Sequence, residues 1–425
     1  MAISRLVAPF ALLACVCLAS ASAQDAFCRA AVEDALASIA QNCANLEADS
    51  LCYGHPLVEA SFVDDAPAAD LGAPSQRAPI TNLSSVRTSA LDLAAGRWGI
   101  AILNLGAMYP RTHKGPGIIV MLAGAAEITN EIDPASAPQI SEPLSTATLV
   151  ETTLFKNPGI LPRPLGTAAV DEILLIDATD ESGAWLRVVN EGKVAWVERD
   201  NVARLNAMDS LPAIGTGAAF PFQALSLATA ADFPACDQAE PMIAIQTPGE
   251  MSVNLTVNGV DIHVGAMVTF QQAHRNALSM TVHRGEVTTI FGQTVRQGES
   301  VIGILGSGRD GSAQVLDWSG ALPVSNAEYA RGKRAQTALN ELARVNGWPE
   351  HKTFRHRPAL VHVVERGESL YSIGRRYDTS VAEIILANLG DEPIRLYRGT
   401  KLVIPNPGSG FAGRGSVPLD ATRDE

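Results

Sequence analysis

The residues able to do covalent, metal or proton chemistry are few and scattered. The 425-residue chain holds 6 cysteines and 8 histidines. The motifs that set a nucleophile beside its base are missing: there is no G-x-S-x-G, no H-E-x-x-H, no P-loop and no Cys–His pair in a familiar frame. Gly306-Ser307-Gly308 lacks the framework of a nucleophile elbow. His263 and His283 fall in alternating, strand-like runs, and imidazole is a common metal ligand. However, His263 lies between Ile262 and Val264, and His283 follows Val282 without an adjacent acid. The expectation is a protein without metal, cofactor or enzymatic activity, although a catalytic pair distant in sequence leaves no local trace.

The cysteines carry more information. Cys15 and Cys17 sit in an N-terminal apolar run, leaving Cys28, Cys43, Cys52 and Cys236 downstream. These four are too scattered for a CxxC-type metal site, and in an exported chain they imply two disulfides. Cys28, Val32, Leu36, Ile39 and Cys43 share one face of a helical pattern over residues 26–44. On an intact helix Cys28 and Cys43 are roughly 22 Å apart, and a disulfide needs Cα atoms within about 7 Å. Two schemes remain: Cys43–Cys52 with Cys28–Cys236, or Cys28–Cys52 with Cys43–Cys236.

Export itself is read from the first residues. Arg5 precedes an apolar run from Leu6 to Leu18, and Ala21-Ser22-Ala23 supplies a small-residue cleavage site before Gln24. The run is too short to span a bilayer. Leu12-Leu13-Ala14-Cys15 resembles a lipobox, so lipid anchoring at Cys15 is the alternative to a secreted or envelope-resident chain. The net charge of −13 repels phosphate backbones, so nucleic acid is excluded as an expected partner. Few aromatics with frequent glycine and proline suit several small β domains joined by turns.

Residues 58–97, rich in Ala, Pro, Ser and Asp, read as loop with a linker near 64–78. Residues 97–103 and 117–122 read as strands of a small β unit of unassigned role. Next, DESGAWLRVVNEGKVAWVERDNV holds two alternating strands joined at Asn190-Glu191-Gly192-Lys193. It resembles the second half of a bacterial SH3 domain. Such domains often bind cell-wall peptides, but large aromatics dominate small cores, so Trp185 and Trp196 are expected to be core. Further on, short strands recur with glycine at the corners, and Asn258-Gly259 between alternating runs signals a hairpin. Val264-Gly265-Ala266, Gly285-Glu286-Val287, Gly292-Gln293-Thr294-Val295 and Gln297-Gly298-Glu299 resemble a FecR-like β domain, which implies no catalysis. A helical pattern over 326–346, with Tyr329, Ala335, Leu339, Leu342 and Val345, ends at Gly347-Trp348-Pro349.

The last pattern is the most specific. Residues 361–364 read as a strand and Gly367 as a turn. Ser369 caps a helix bearing Leu370, Ile373, Gly374 and Tyr377. Ser380 and Glu383 form a capping box for a second helix, and Lys401-Leu402-Val403-Ile404 closes a β–α–α–β unit stopped by Pro405. This unit resembles a LysM domain through HVVERGESLYSI, Ala387-Asn388-Leu389 and the closing Gly399-Thr400-Lys401-Leu402-Val403-Ile404-Pro405, with His362 in place of the usual Tyr and Arg398 where Pro is common. The resemblance implies binding of N-acetylglucosamine-containing glycan, peptidoglycan or chitin. The implied groove is made by Gly367, Glu368, Ser369 and Leu370 on one side and Ile394, Leu396 and Tyr397 on the other. A single small groove implies weak affinity, on the order of micromolar to millimolar.

The expected fold is therefore multi-domain and mainly β, with an N-terminal disulfide-tied helix. The boundaries run as a signal peptide (1–23), a cysteine-bearing helical segment (24–60), a linker plus small β unit (61–145), an SH3-like barrel (146–207), a FecR-like β unit (208–325), a helix and linker (326–357), the LysM domain (358–406) and a disordered tail (407–425). The expected function is a non-enzymatic, exported cell-envelope protein held to glycan by its LysM domain, with the β domains meeting wall or protein partners. The alternatives are a wall-targeted hydrolase or accessory factor, and an interaction or sensing scaffold whose LysM fold does not bind.

Overall fold

The computed structural model describes residues 9–63, 72–106, 116–133, 136–138, 143–159, 161–190, 193–215, 218–230, 238–248, 252–274, 276–290, 292–308, 312–349, 360–377, 381, 384 and 396–404. The expected tail and Cys236 lie outside them, as do residues 385–395 of the expected second LysM helix and its loop. Among the described residues there are sheets of 16, 7 and 2 strands, and the helices include α1 (Pro9–Asn42), α2 (Asn326–Asn346) and α3 (Leu370–Tyr377). No helix among the described residues is long and apolar enough to cross a membrane.

The large sheet is built around three strands with near-continuous apolar sequence, Ile100–Leu105, Ile118–Ala123 and Met242–Gln246, each buried along its whole length. Such runs mark strands covered on both faces. Side chains alternate across a strand, and here the two sets enter two cores. Ala101, Leu103, Val120, Leu122, Ile243 and Ile245 join the main β core. Ile100, Ile102, Ile119, Met121, Met242 and Ala244 pack with Val32, Leu36 and Ile39 of α1 and Ala335, Leu339 and Leu342 of α2. Full burial of each aliphatic side chain contributes roughly 1.5–3 kcal/mol.

The remaining strands extend this centre. Strand Val260–His274 pairs with Val253–Val257 over its first half and with Met242–Gln246 over its second, while Ala277–Thr289 runs along its other edge. Asn258 and Gly259 both take positive φ (47° and 74°) between the paired Val257 and Val260, the two-residue turn that the sequence signals. The buried Asn258 side chain also bonds both backbone groups of Leu227, accepting at 3.1 Å and donating at 3.2 Å.

Several expectations need correction. The described parts of 58–97 hold strands where loop is expected: Val58–Phe62 and Leu83–Thr88 pair with each other, and Arg77–Pro79 pairs with Ser50–His55, while residues 64–71 of the expected linker lie outside the described residues. Strand Ser50–His55 also breaks the expected helical segment 24–60. The strands of 61–145 do not form a sheet of their own. Ile118–Ala123 pairs with Met242–Gln246, and Ala126–Asn130 with Ala224–Thr229. The physical reason is the two-sided burial: neither stretch alone could cover both faces of its own apolar strands.

The seven-stranded sheet, residues 144–214, is inserted between these partners. Its own core holds Leu154, Ile176, Leu186, Val188 and Val197. Trp185 and Trp196 are core, as expected, but they belong to the main core with Phe220 and Ile214. Arg187 is buried and pairs bidentately with Asp177 at 2.9 and 2.8 Å, with its guanidinium 5.2 Å from the Phe220 ring centroid. Truncating one partner leaves a buried charge uncompensated. Asp177→Ala should therefore lower stability by about 3–5 kcal/mol in denaturant titration, well beyond the loss for an exposed pair such as Arg87–Glu127.

The termini of α1 and α2 are tied together. Ser325 and Glu328 form a capping box at the start of α2, and Gly347 ends it in the left-handed region at φ 69°. Asn346 then bonds Cys43 O and Leu46 N at 3.1 and 2.7 Å. Cys43 is disulfide-bonded to Cys52 with Cα atoms 5.9 Å apart, which rules out the second pairing scheme; Cys28 is disulfide-bonded as well, and the expected partner Cys236 lies outside the described residues. The Cys43–Cys52 double serine variant should lose about 2–3 kcal/mol, the loop-closure contribution of so short a loop, seen as a shift in the urea midpoint.

Candidate functional site

The C-terminal unit builds its site on a two-stranded frame. Leu360–Val363 and Lys401–Ile404 pair antiparallel, with His362 opposite Leu402. Val364, Ile373, Ile384, Leu402 and Ile404 form its core, with Leu370, Tyr377 and Leu396 packed half-buried against it. Two turns are stitched together beside this core. Val364 N donates to Thr400 O and Val364 O accepts from Gly399 N, both at 2.8 Å. The turn at Gly367 (φ 85°) is thereby held next to the turn at Gly399 (φ 92°). Both conformations favour glycine.

Helix α3 starts where Ser369 predicts. Ser372 N donates to Ser369 Oγ at 3.1 Å, and Ser369 N donates back to Ser372 Oγ at 2.9 Å. Ser369 and Gly367 are exposed, and Tyr397 stands at 63 % exposure on the facing turn. Tyr397 N donates to Thr400 Oγ1 at 3.1 Å, which fixes its backbone. Residues 362–405 match the LysM domain family. They are a LysM domain. Domains of this family generally bind N-acetylglucosamine glycans such as peptidoglycan. No curated protein matches the chain.

Of the residues expected to line the LysM groove, Gly367, Ser369 and Tyr397 offer exposed surface, and Leu370 and Leu396 offer partly buried apolar edges. Ile394 lies outside the described residues. Glu368 departs from expectation. Its carboxylate turns inward and accepts from Glu365 N and His362 Nε2, both at 2.7 Å, while Arg376 Nη1 lies 2.7 Å from the other oxygen. His362 is itself buried and shares its second nitrogen with Tyr377 OH at 3.0 Å. His362, at the position where the family usually has Tyr, thus ties strand, turn and helix together through Glu368. Glu368 is a positioning residue, and its carboxylate does not face the groove. The exposed Tyr371 (56 %), on the first turn of α3, was not singled out by sequence because its neighbours Leu370 and Ile373 define the helix pattern.

The upstream histidines are placed apart from this site. His263 is bonded to Asn254 Oδ1 at 2.8 Å, on the wall of a cleft of about 430 Å³ that Asp261 and Thr288 also line. Burial lowers the His263 pKa, and the positive charge of Lys156 adds to this. His283 is buried against α2, bonds Thr269 Oγ1 at 2.8 Å, and is pushed down to about 4 by burial and then by Arg331. Gly332 of α2 lies so close to the His283 ring that any side chain there would overlap it.

The Glu368 network has a definite pH sign. The Glu365 backbone N–H, then the His362 bond and the charges of His362 and Arg376, hold the carboxyl below its ordinary value against the cost of burial. Its stabilisation is therefore complete above the ordinary carboxylate value and is lost as pH falls through the lowered one. Below about pH 4 the melting of the LysM unit, followed by the ring resonances of Tyr371 and Tyr377, should shift to lower temperature. Glu368→Gln should melt lower at pH 7 and lose that part of the acid dependence.

Proposed function

We propose that this chain is an exported, non-enzymatic cell-envelope protein that attaches to peptidoglycan through its LysM domain. The observation that carries the reading is the pair of exposed turns, Gly367–Ser369 and Tyr397, clamped side by side by the Val364 backbone bonds. Backbone donors and acceptors on these turns can meet an acetamido group. Tyr397, Leu370 and Leu396 supply apolar surface for the sugar face and acetyl methyl. One such groove gives weak binding, on the order of micromolar to millimolar.

The β body is the cargo or partner-facing part in this proposal. Residues 146–207 keep their resemblance to a bacterial SH3 domain and 208–325 theirs to a FecR-like unit. The burial of Trp185 and Trp196 supports reading the former as an embedded module without a free aromatic platform. Export through residues 1–23 supplies the compartment where peptidoglycan is met and where the disulfides persist.

Sedimentation of the purified protein with peptidoglycan and, separately, chitin tests the reading. Tyr397→Ala removes a side chain that the fold does not bury, so it should weaken binding roughly tenfold, as loss of a central aromatic contact does, without lowering the melting temperature. Gly367→Glu places a non-glycine residue at φ 85° and also blocks the groove, so it should abolish binding with some loss of stability. Sedimentation with neither polymer, or binding unchanged by Tyr397→Ala and Gly367→Glu, would remove the LysM groove as the anchor.

A further inference from the structure

A second cavity lies between α1 and α2, with a volume of about 970 Å³. The size is that of a site for a ligand of several hundred daltons. Its floor is apolar and made of small or branched side chains: Val32 and Leu36 from α1, Ala330 and Ala338 from α2. Its rim is cationic. Arg29, Lys333, Arg334 and Arg344 line it against two carboxylates, Glu33 and Glu341, and Glu341 is already paired with Arg344. In a chain of net charge −13 this is a local reversal of sign.

Arg334 is the decisive residue. Its Nε is buried and has no hydrogen-bond partner. Glu240, the carboxylate whose charge favours the Arg334 cation, is engaged by Arg331 through both Nε and Nη2. Burial, and next the charge of Arg331, disfavour the Arg334 cation, with only the shared Glu240 opposing them. An under-compensated guanidinium costs stability unless an anion completes it. Gln238, on the same wall, likewise holds its side-chain oxygen buried and unbonded. The unbonded Arg334 N–H beside an apolar floor calls for a ligand with an anionic head and an aliphatic tail; the Gln238 oxygen is an acceptor, which an anion does not complete.

We propose that the α1–α2 groove binds an anionic amphiphile, with its aliphatic chain on Val32, Leu36, Ala330 and Ala338 and its carboxylate or phosphate head on Arg334. Arg29 and Lys333 supply long-range attraction at the rim, and the head's acceptor oxygens complete the bidentate geometry that guanidinium favours. This site is independent of the LysM groove.

Titration calorimetry of the purified protein tests it, with dodecanoate, dodecyl phosphate, dodecyl maltoside and acetate, each below its micellar concentration. Dodecanoate or dodecyl phosphate should bind at one site, and the stronger of the two identifies the head. Dodecyl maltoside should bind at least tenfold more weakly, and acetate should give no signal. Arg334→Gln should weaken the anionic probe at least tenfold without lowering the melting temperature, because it removes a charge the fold does not fully compensate. Ala330→Trp should fill the floor and abolish binding, with peptidoglycan sedimentation unchanged. Absence of binding by both anionic probes, equal binding of dodecyl maltoside, or an undiminished affinity in Arg334→Gln would overturn the proposal.

Discussion

Two-sided burial of three strands is the constraint on which the architecture depends. Ile100–Leu105, Ile118–Ala123 and Met242–Gln246 carry apolar side chains on both faces, so neither face can be left to water. One face is closed by the curled remainder of the large sheet and the other by α1 and α2. The chain must therefore bring residues 28–43, 100–105, 118–123, 242–246 and 335–342 to one place. The Cys43–Cys52 bridge and the Asn346 bonds fix that meeting point covalently and by hydrogen bonding.

The same constraint explains how the other parts are carried. The seven-stranded sheet enters as an insertion between two paired strands of the main body, and its tryptophans are used to join that body. The LysM unit is different: it has its own small core and its own two-stranded sheet. The turns at Gly367 and Gly399 are held together by contacts within the unit.

Within the LysM unit, neighbouring residues point in opposite directions. Gly367 and Ser369 face outward, while Glu368 between them turns in to His362, Arg376 and the Glu365 amide. An inward charge-assisted network supports an outward backbone surface. The α1–α2 pair shows the converse. There Arg334 is left incompletely paired at the edge of an apolar groove, so the polar group points to what is missing from the fold rather than to what holds it.

Local features were legible in the sequence because their physics is local. Examples are the Asn258-Gly259 turn, the helix over 326–346 closed by Gly347, the Ser369 cap of α3, the LysM pattern, and the exclusion of a Cys28–Cys43 bridge by helix length. Strand pairing at long range was not legible. Nothing near residue 119 specifies residue 246 as its partner, because a strand's hydrogen bonds are sequence-blind and its partner is chosen by which faces must be buried together. For that reason residues 58–97 read as loop and the main sheet read as two separate units. The orientation of Glu368 and the groove beside Arg334 likewise arise only when distant elements meet, since the direction of a charged side chain is set by the partners that folding delivers to it.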